Sequence, residues 1–251
     1  MRITASRPAD RIRHTSLTMP FAHSILNADL SDPRLLISAP AYKFYLRMRD
    51  GRPIANILSH RPNATCICGA SLAVDSTSHF LTCRKLRGKQ WKCHQLLVKA
   101  FHHLAELCGV YSIEESHLPD NKRSDNFFNF PQSGTPYHTD TSVVHPACNT
   151  YLDSQAQTKP GYAAAARVHQ KVTKYRQIVE RIGARFRAHI FETYGGTSHD
   201  VELTLADFEQ AAFFKEPAHR PTKSFMRCYL QKTLIEGNAL VFAEGLKLMP
   251  L

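Results

Sequence analysis

The sequence predicts a compact α/β layer in which a central sheet is flanked by helices. The chain has 251 residues, of which 43% are hydrophobic, so it is long enough to bury one substantial core. Several segments repeat apolar residues at helical spacing, and two β-rich segments flank a run of turn-forming residues. The resulting order of elements is helix, hairpin, helix, strand and helix, which is typical of an α/β layer.

The first third of the chain is predicted to hold an irregular segment, a short helix and a cysteine-rich loop. Four prolines interrupt residues 1–40, which are therefore expected to be irregular. Residues 41–51 (AYKFYLRMRDG) show an amphipathic pattern that Gly51 ends, and they open a short helical lead-in spanning residues 41–60. The cysteine-rich loop follows at residues 65–83.

The rest of the chain is predicted to build the sheet and its covering helices. Apolar residues recur at helical spacing over residues 90–108, and Gly109 supplies the stop. Aromatic and β-branched residues at 124–130 and 137–144 predict two hairpin strands, because the PQSGTP between them is rich in turn residues. The remaining predicted elements are a helix, a strand and two helices at residues 162–183, 186–193, 204–215 and 223–246.

Positive charge is concentrated in one stretch of a basic chain. The formal net charge is +11 and the pI is about 9.4. No acidic residue lies between Asp75 and Glu106, where the basic residues are Arg84, Lys85, Arg87, Lys89, Lys92 and Lys99. Such a run favours binding to a nucleic-acid backbone, because each neutralised phosphate releases counterions. A solvated helix face is the alternative interpretation.

The cysteine count and hydropathy pattern predict an intracellular protein without a membrane partner. Seven cysteines at irregular spacing do not suggest a secreted disulfide framework. No apolar run approaches the roughly 18 to 20 residues needed to span a bilayer, and the first residues lack the hydrophobic region of a secretory signal. We therefore expect reduced thiols and a nuclear or cytoplasmic location.

A cluster of potential zinc ligands is the clearest motif in the sequence. Three cysteines and one histidine form a C-x-C-x10-H-x3-C pattern, made by Cys66, Cys68, His79 and Cys83. Four such ligands close a tetrahedral coordination sphere, which predicts a structural Zn²⁺ rather than a catalytic one. Cys93 and His94 are possible substitute ligands. The alternative is that the four residues are unlinked members of a loop.

Two carboxylates in the predicted hairpin suggest a second metal site. Asp125 opens the first strand, and Asp140 lies in the middle of the second. A carboxylate in a half-buried strand is costly unless it is paired or holds a cation. Two carboxylates on adjacent strands match the preference of Mg²⁺, which takes one or two carboxylates and keeps several waters. A solvent-exposed sheet edge is the alternative location for both.

A lysine on the following helix is placed to reach these acids. The apolar stripe of the helix runs through Val168, Val172 and Tyr175, and we expect this face to pack on the sheet. Lys171 borders the stripe, whereas Lys174 points farther toward solvent. Lys171 could therefore orient an attacking water or neutralise charge on a phosphate. An ordinary snorkelling side chain is the alternative.

Taken together, these segments resemble a known type of mobile-element protein. The resemblance is carried by FYLRMRDGRP (44–53), CICG (66–69), SHFLTCRKLRGKQWKCH (78–94), GVYSIEE (109–115), KRSD (122–125), HTDTSVV (138–144), KVTKY (171–175) and EGNA (236–239). In this order they resemble the C-terminal region of non-LTR retrotransposon polyproteins. In that family a zinc-knuckle-like CCHC segment precedes a restriction-enzyme-like endonuclease of the PD-(D/E)XK class. The resemblance covers roughly residues 44 to 245.

The resemblance implies an assignment of domains and catalytic residues. Residues 61–89 would be the zinc segment, and residues 90–251 a restriction-endonuclease-like domain with its central sheet flanked by helices. The implied catalytic set is Asp125 and Asp140 as the metal-binding acids, Lys171 or Lys174 as the displaced lysine, Tyr175 beside it, and Glu115 or Glu114 as an upstream acid. Two positions depart from the family pattern: Ser124 replaces the motif proline and Ser142 the standard lysine.

The function that follows from these expectations is metal-dependent nicking of target DNA during retrotransposition. It would use structural Zn²⁺, catalytic Mg²⁺ and the basic residues Arg84, Lys85, Arg87, Lys89 and Lys92 for binding nucleic acid. The resemblance also implies element RNA and an upstream reverse transcriptase domain as partners. One alternative is a non-catalytic nucleic-acid-binding module that retains the zinc segment and an inactive nuclease fold. A zinc-stabilised protein-interaction domain is the third hypothesis.

Overall fold

The computed structural model describes residues 7–29, 31–52, 65–70, 76–130, 134–216 and 220–246. Parts of the predicted N-terminal segment (1–6), helical lead-in (53–60), zinc segment (61–64 and 71–75) and hairpin turn (131–133) lie outside the described residues. Within the described ranges the fold is mixed α/β, with helices on both sides of a small mixed sheet. None of the described helices is both long and apolar enough to cross a bilayer.

In the described part of the chain four α-helices precede five strands, and a helix, a strand and two helices follow. The helices are α1 (Pro8–Leu17), α2 (Ala39–Asp50), α3 (Ser76–Thr82), α4 (Arg87–Cys108), α5 (Tyr162–Glu180), α6 (His199–Ala211) and α7 (Lys223–Gly245). The strands are β1 (Tyr111–Glu114), β2 (His117–Leu118), β3 (Lys122–Arg123), β4 (Asn126–Asn129), β5 (Tyr137–Val144) and β6 (Arg185–Glu192). Each predicted helix, both hairpin strands and the later strand correspond to one of these elements.

The N-terminal segment differs from the irregular structure expected of it. Residues 1–40 contain α1 and a 3-10 helix at Pro20–Asn27. In both helices the proline occupies one of the first positions, where its missing N–H has no intrahelical acceptor to lose. The prolines therefore mark helix starts here, whereas the prediction treated them as breaks.

The main sheet has the strand order β1-β4-β5-β6. Strands β1, β4 and β5 pair antiparallel, so the predicted hairpin is present as β4 and β5. Strand β6 then adds to β5 in parallel, with Asp140 opposite Ala188 in the register. A parallel pair needs a crossover connection, which α5 supplies. A separate two-stranded ribbon pairs β2 with β3.

Helices cover both faces of the sheet because the side chains of β6 alternate between two apolar clusters. On one face His189 stacks on Phe101 of α4, and Phe191 joins a buried cluster that includes residues of α6 and α7. On the other face Ala188 and Ile190 pack with Ala164 of α5. Asp140 of β5, which pairs with Ala188 in the register, therefore lies on the face that α5 covers.

The cysteine-rich segment packs against the last helix. Phe80 of α3 is fully buried, and its ring meets Phe242 of α7 edge to face. Gly245 makes this approach possible, since a Cβ atom at that position would lie 2.3 Å from the Phe80 ring. Cys66 and Cys83 belong to the same buried cluster. The cluster also contains residues of α1 and α2, so the N-terminal helices, the cysteine-rich segment and α7 share one core.

Candidate functional site

The Cys/His cluster has the geometry of a four-ligand metal site. The sulfur and nitrogen ligand atoms of Cys66, Cys68, His79 and Cys83 all lie within 4.8 Å of one another. The Cys66 and Cys83 sulfurs are 3.8 Å apart, which matches the separation of about 3.8 Å that two thiolates adopt around a tetrahedral zinc ion. Cys68 Sγ lies 3.2 Å from His79 Nε2. The predicted cluster is therefore present and could hold a metal such as zinc.

A tight turn and a short helix bring these four ligands together. The backbone N–H of Gly69 donates to the carbonyl of Cys66 at 2.7 Å, and Gly69 adopts a φ of +90°, which favours glycine. The Ile67 N–H donates to the Gly245 carbonyl at 3.0 Å and so ties the turn to the end of α7. His79 lies on helix α3, and Cys83 is the first residue after the end of that helix.

The two cysteines of the turn have thiol pKa values shifted in opposite directions. Burial raises the pKa of the Cys66 thiol to about 11, whereas a backbone N–H from Ala70 lowers the pKa of Cys68. Zinc binds the thiolate form, so a bound ion would release protons from this cluster. Three soft ligands and one imidazole leave no open coordination position, which fits a structural role.

The two predicted acids lie close together, Asp125 immediately before β4 and Asp140 in the middle of β5. Asn126 of β4 pairs with Thr139 of β5, so the preceding Asp125 meets the following Asp140. The Asp125 N–H donates to the Thr139 carbonyl at 2.9 Å, which extends the ladder to this point. Both acids are largely enclosed, with 23% and 7% of their side-chain surfaces exposed. The alternative of a solvent-exposed edge is therefore wrong for this pair.

The α5 helix places a lysine on this acidic pair. Lys171 Nζ forms an ion pair with Oδ1 of Asp140, and 15% of the lysine side chain is exposed. Tyr175, one turn later, hydrogen bonds to Asp140, and burial together with the Asp140 charge raises the pKa of its hydroxyl. Lys174 instead donates to Tyr175 Oη at 2.7 Å. The geometry therefore favours Lys171 over Lys174 as the lysine that contacts an acid.

Asp125 is held by one backbone and one side-chain contact. Its Oδ2 atom accepts a hydrogen bond of 2.6 Å from the Thr141 N–H and lies 3.0 Å from His94 Nε2. Burial and the neighbouring Asp140 charge raise the pKa of Asp125 to about 7, although Thr141 and Lys171 act in the opposite direction. Two close carboxylates in a poorly solvated site disfavour simultaneous ionisation, which explains the direction of the shift.

The third predicted acid stands apart from this pair. The Glu115 N–H donates to the Asp125 carbonyl at 2.9 Å, so the two residues are neighbours in the backbone ladder. The Glu115 side chain is about half exposed and pairs with Arg123 at 3.4 Å. Its negative charge contributes to the raised pKa of Asp125. Glu115 thus acts on the site electrostatically, and its carboxylate contacts neither acid.

His94 is a site residue that sequence reasoning assigned elsewhere. The sequence offers His94 as a substitute zinc ligand, whereas in the structure His94 contacts Asp125. Its Nδ1 atom is buried and accepts or donates no hydrogen bond among the described residues. A signal was present in the helical spacing, because Leu97 and Val98 lie one turn later and are buried on the same side of α4. A histidine on such a face had to meet the sheet.

The basic residues lie at the start of α4 and just before it. Arg84, Lys85, Arg87 and Lys92 are exposed, and none of them forms an ion pair with another described residue. Lys89 differs, since its ammonium lies 3.0 Å from Glu244. Four cations are therefore free to meet an anionic partner.

Within the described part of the chain, the cysteine cluster is the one group of three or more Cys, His, Asp or Glu ligands close enough to share an ion. The site around Asp125 and Asp140 therefore offers two carboxylates and no third protein ligand of this kind. Compared with models of known protein families and with curated proteins, the chain matches none of them significantly. Its function must accordingly be inferred from the geometry of these two sites.

Proposed function

We propose that the chain is a Mg²⁺-dependent DNA endonuclease. The observation that carries the proposal is the closeness of Asp125, which immediately precedes β4, to Asp140 of β5, with Lys171 of α5 on Asp140. Hydrolysis of a phosphodiester needs a site that holds a cation, a water and the phosphate together. Two enclosed carboxylates beside a lysine and an open cleft provide groups for each of these tasks.

The acidic pair fits a hard divalent cation. Oδ1 of Asp140 is buried and, apart from the Lys171 ammonium, has no hydrogen-bond donor among the described residues. Asp125 carries a raised pKa because a second carboxylate is close to it. Both features describe a local excess of negative charge that a divalent cation would offset. Mg²⁺ prefers such oxygen ligands and takes only one or two carboxylates from the protein.

The protein groups around the pair have separate roles in this mechanism. Bound Mg²⁺ would lower the pKa of a coordinated water and attract the phosphate. Asp125 and Asp140 would hold the cation, and the Thr141 N–H and His94 keep the Asp125 carboxylate oriented. Lys171 lies on Asp140, so its ammonium can donate to a phosphate oxygen on which negative charge develops during attack.

A plasmid-nicking assay with matched variants tests this proposal. We expect Mg²⁺-dependent nicking of supercoiled DNA that Asp140→Ala abolishes. Lys171→Met should slow nicking by about 10²-fold, the size of effect typical for removal of one charge-stabilising donor. Lys174→Met is the matched control, because Lys174 contacts Tyr175 and not an acid; its effect should be several times smaller. Equal nicking by the wild type and Asp140→Ala would rule out this active site.

The finer assignments belong to the same proposal. The central sheet flanked by helices supports a restriction-endonuclease-like core, and the Cys/His cluster supports a zinc-knuckle-like segment. On this view the chain derives from a non-LTR retrotransposon, acts on DNA in the nucleus or cytoplasm, and takes element RNA and an upstream reverse transcriptase as partners. Glu115 and Tyr175 would support the metal-binding acids through their charge and hydrogen bond.

A non-catalytic nucleic-acid-binding module is the second candidate. The exposed, unpaired cations Arg84, Lys85, Arg87 and Lys92 favour it. This function predicts DNA binding that survives Asp140→Ala while nicking is absent in every variant. The logarithm of affinity should then fall linearly with the logarithm of salt concentration, with a slope of about −0.9 per neutralised phosphate. Lys92→Gln should reduce that slope by about one contact, and an unchanged slope would argue against this surface.

A further inference from the structure

A cleft of about 320 Å³ opens beside the acidic pair. Its walls come from α4, which contributes Trp91 and His94, and from α5, which contributes Arg167 and Lys171. His94 contacts Asp125 and Lys171 contacts Asp140, so two side chains that line the cleft also contact the two carboxylates. Its volume lies within the range of about 300–1,000 Å³ that is usual for pockets binding small ligands. We call it the Trp91 cleft.

Trp91 is the most unusual side chain of this cleft. It is the single tryptophan of the chain, and 60% of its surface is exposed. It lies three residues before His94 on α4, so the two side chains share one side of the helix about one turn apart. Exposure alone does not distinguish it, because Phe213 and Tyr111 are also more than half exposed. Its position in the lining of a cleft whose other side chains contact two carboxylates does.

The charges around Trp91 indicate what kind of molecule the ring meets. Arg87 lies one turn before Trp91 on α4, and Lys92 follows it; both are exposed and unpaired among the described residues. Arg167 and Lys171 of α5 line the same cleft as the ring. An aromatic ring between cations matches a nucleic-acid strand, whose bases stack on aromatic side chains while the phosphates meet the positive charges.

We propose that Trp91 stacks on an unpaired nucleobase whose neighbouring phosphate lies at Asp125 and Asp140. The preferred substrate is then DNA with a single-stranded stretch at the cleaved bond. A base inside a duplex would have to leave its stack to enter the cleft, at a cost of a few kcal/mol, whereas an unpaired base enters without that cost. This inference rests on the proposed nuclease function and specifies its substrate.

Fluorescence of the single tryptophan tests the stacking without any cleavage. The wild-type chain, without added Mg²⁺, is titrated with an oligothymidylate and with a duplex of equal length. We expect quenching by the single strand at concentrations about 10-fold below those needed for the duplex, because only the unpaired base stacks freely. Equal quenching by the duplex, or no quenching by the single strand, overturns the proposal. Tighter binding of an oligouridylate of the same length would overturn its assignment to DNA.

Variants then separate the ring from the rest of the surface. With fluorescently labelled oligothymidylate, Trp91→Ala should lower affinity by about 10-fold, the effect expected for one lost base stack. Trp91→Phe should restore most of that loss, and Tyr111→Ala, which removes an equally exposed ring from β1, should leave affinity unchanged. Similar losses in Trp91→Ala and Tyr111→Ala would show that the effect is not specific to the cleft.

A cleavage assay distinguishes failure of this inference from failure of the nuclease function. DNA with a single-stranded flap and fully paired DNA are compared in Mg²⁺. If the wild type cuts both equally well and Trp91→Ala changes neither, the nuclease stands and the stacking proposal fails. If no substrate is cut but the single strand still binds through Trp91, the nuclease function fails while base stacking stands.

Discussion

At the scale of single residues, Asp125 carries the electrostatic cost of the acidic pair. Burial and the Asp140 charge raise its pKa to about 7, whereas an aspartate in an unfolded chain has a pKa of about 3.9. A carboxyl whose pKa is raised on folding binds its proton more tightly in the folded state. Its ionised form therefore destabilises the fold, increasingly so from about pH 4 to pH 7.

This cost predicts that Asp125→Asn stabilises the protein when Mg²⁺ is absent. The amide oxygen can still accept the Thr141 hydrogen bond, while the buried charge is gone. We expect the free energy of unfolding, measured by urea denaturation near pH 8, to rise by about 2 kcal/mol, less than the full pKa shift implies because the site is partly solvated. The gain should shrink as the pH falls toward 4, where the wild-type carboxyl is protonated.

Two comparisons make this expectation specific to the site. Asp153→Asn removes an exposed carboxylate and should leave stability nearly unchanged. Added Mg²⁺ should stabilise the wild type and not Asp125→Asn, since a ligand stabilises the state that binds it. A wild type that is the more stable of the two without Mg²⁺ would show that the charge is already compensated within the fold.

The contacts of the site could be predicted from the sequence only where the periodicity within each element determines which face its side chains occupy. The contact of Lys171 with Asp140 follows from the stripe of α5 and the two-residue period of β5. His94 was not assigned to the acids, because its contact depends on how α4 crosses the sheet. The exposed side chain of Glu115 depends likewise on its partner Arg123, which lies on the β2–β3 ribbon.

At the scale of elements, the cysteine cluster connects a short helix to the main core. Helix α3 has seven residues, fewer than an isolated helix needs to persist in water. Its position depends on the contact of Phe80 with α7 and on two cluster ligands, His79 in its last turn and Cys83 directly after it. The buried cluster that contains Phe80 also includes α2 residues, so loss of α3 should affect more than the loop.

On the proposal that this cluster holds zinc, removal of the ion should lower the stability of the whole protein. We expect Cys83→Ser, or treatment with a zinc chelator, to lower the free energy of unfolding by about 3 kcal/mol or more, because binding of a structural zinc ion is coupled to folding. Thermal unfolding with and without Zn²⁺ measures this effect. Cys148→Ser, at a half-buried cysteine outside the cluster, is the control and should keep its response to Zn²⁺. An unchanged melting temperature in Cys83→Ser would mean that the four residues hold no structural ion.

Helix positions were predictable where apolar spacing and glycine stops agreed. The predicted starts of α5 and α7 coincide with those observed, and Gly51 and Gly109 end α2 and α4 in the left-handed conformation. The N-terminal helices were missed because proline suits both a helix start and a break. The close packing of α4 on α7 could not be predicted either, because it depends on the contact between Gly237 and Cys93, 144 positions apart in the chain.

At the scale of the whole molecule, three buried histidines connect folding stability to acidity. Burial lowers the pKa of His138 to about 4 and those of His145 and His189 to about 3. A histidine in an unfolded chain has a pKa of about 6.5. Below that pH these histidines therefore bind protons in the unfolded state and remain neutral in the folded state. The contribution of these histidines to stability is therefore complete above about pH 6.5 and falls as the solution is acidified toward their folded pKa values.

His189 offers the clearest test of this dependence. It is fully buried, stacks on Phe101 at 4.1 Å between ring centroids, and lies 2.9 Å from Thr204 Oγ1. Arg187, on the same face of β6, is the nearby cation that lowers its pKa further. Among the described residues no carboxylate pairs with this ring, so we expect acidification to protonate His189 in the unfolded chain and not in the folded one.

We expect His189→Gln to reduce the pH dependence of stability by about 1.4 kcal/mol per pH unit between about pH 6 and pH 4, the contribution of one proton. Urea denaturation at several pH values gives the slope for each protein. The raised pKa of Asp125 and the zinc ligands also affect the slope, but they are common to wild type and variant and cancel in the difference. His14→Gln, at an exposed position, is the control and should leave the slope unchanged. If His189→Gln keeps the wild-type slope, then another group takes up the proton and the acid sensitivity of the fold does not originate in this part of the core.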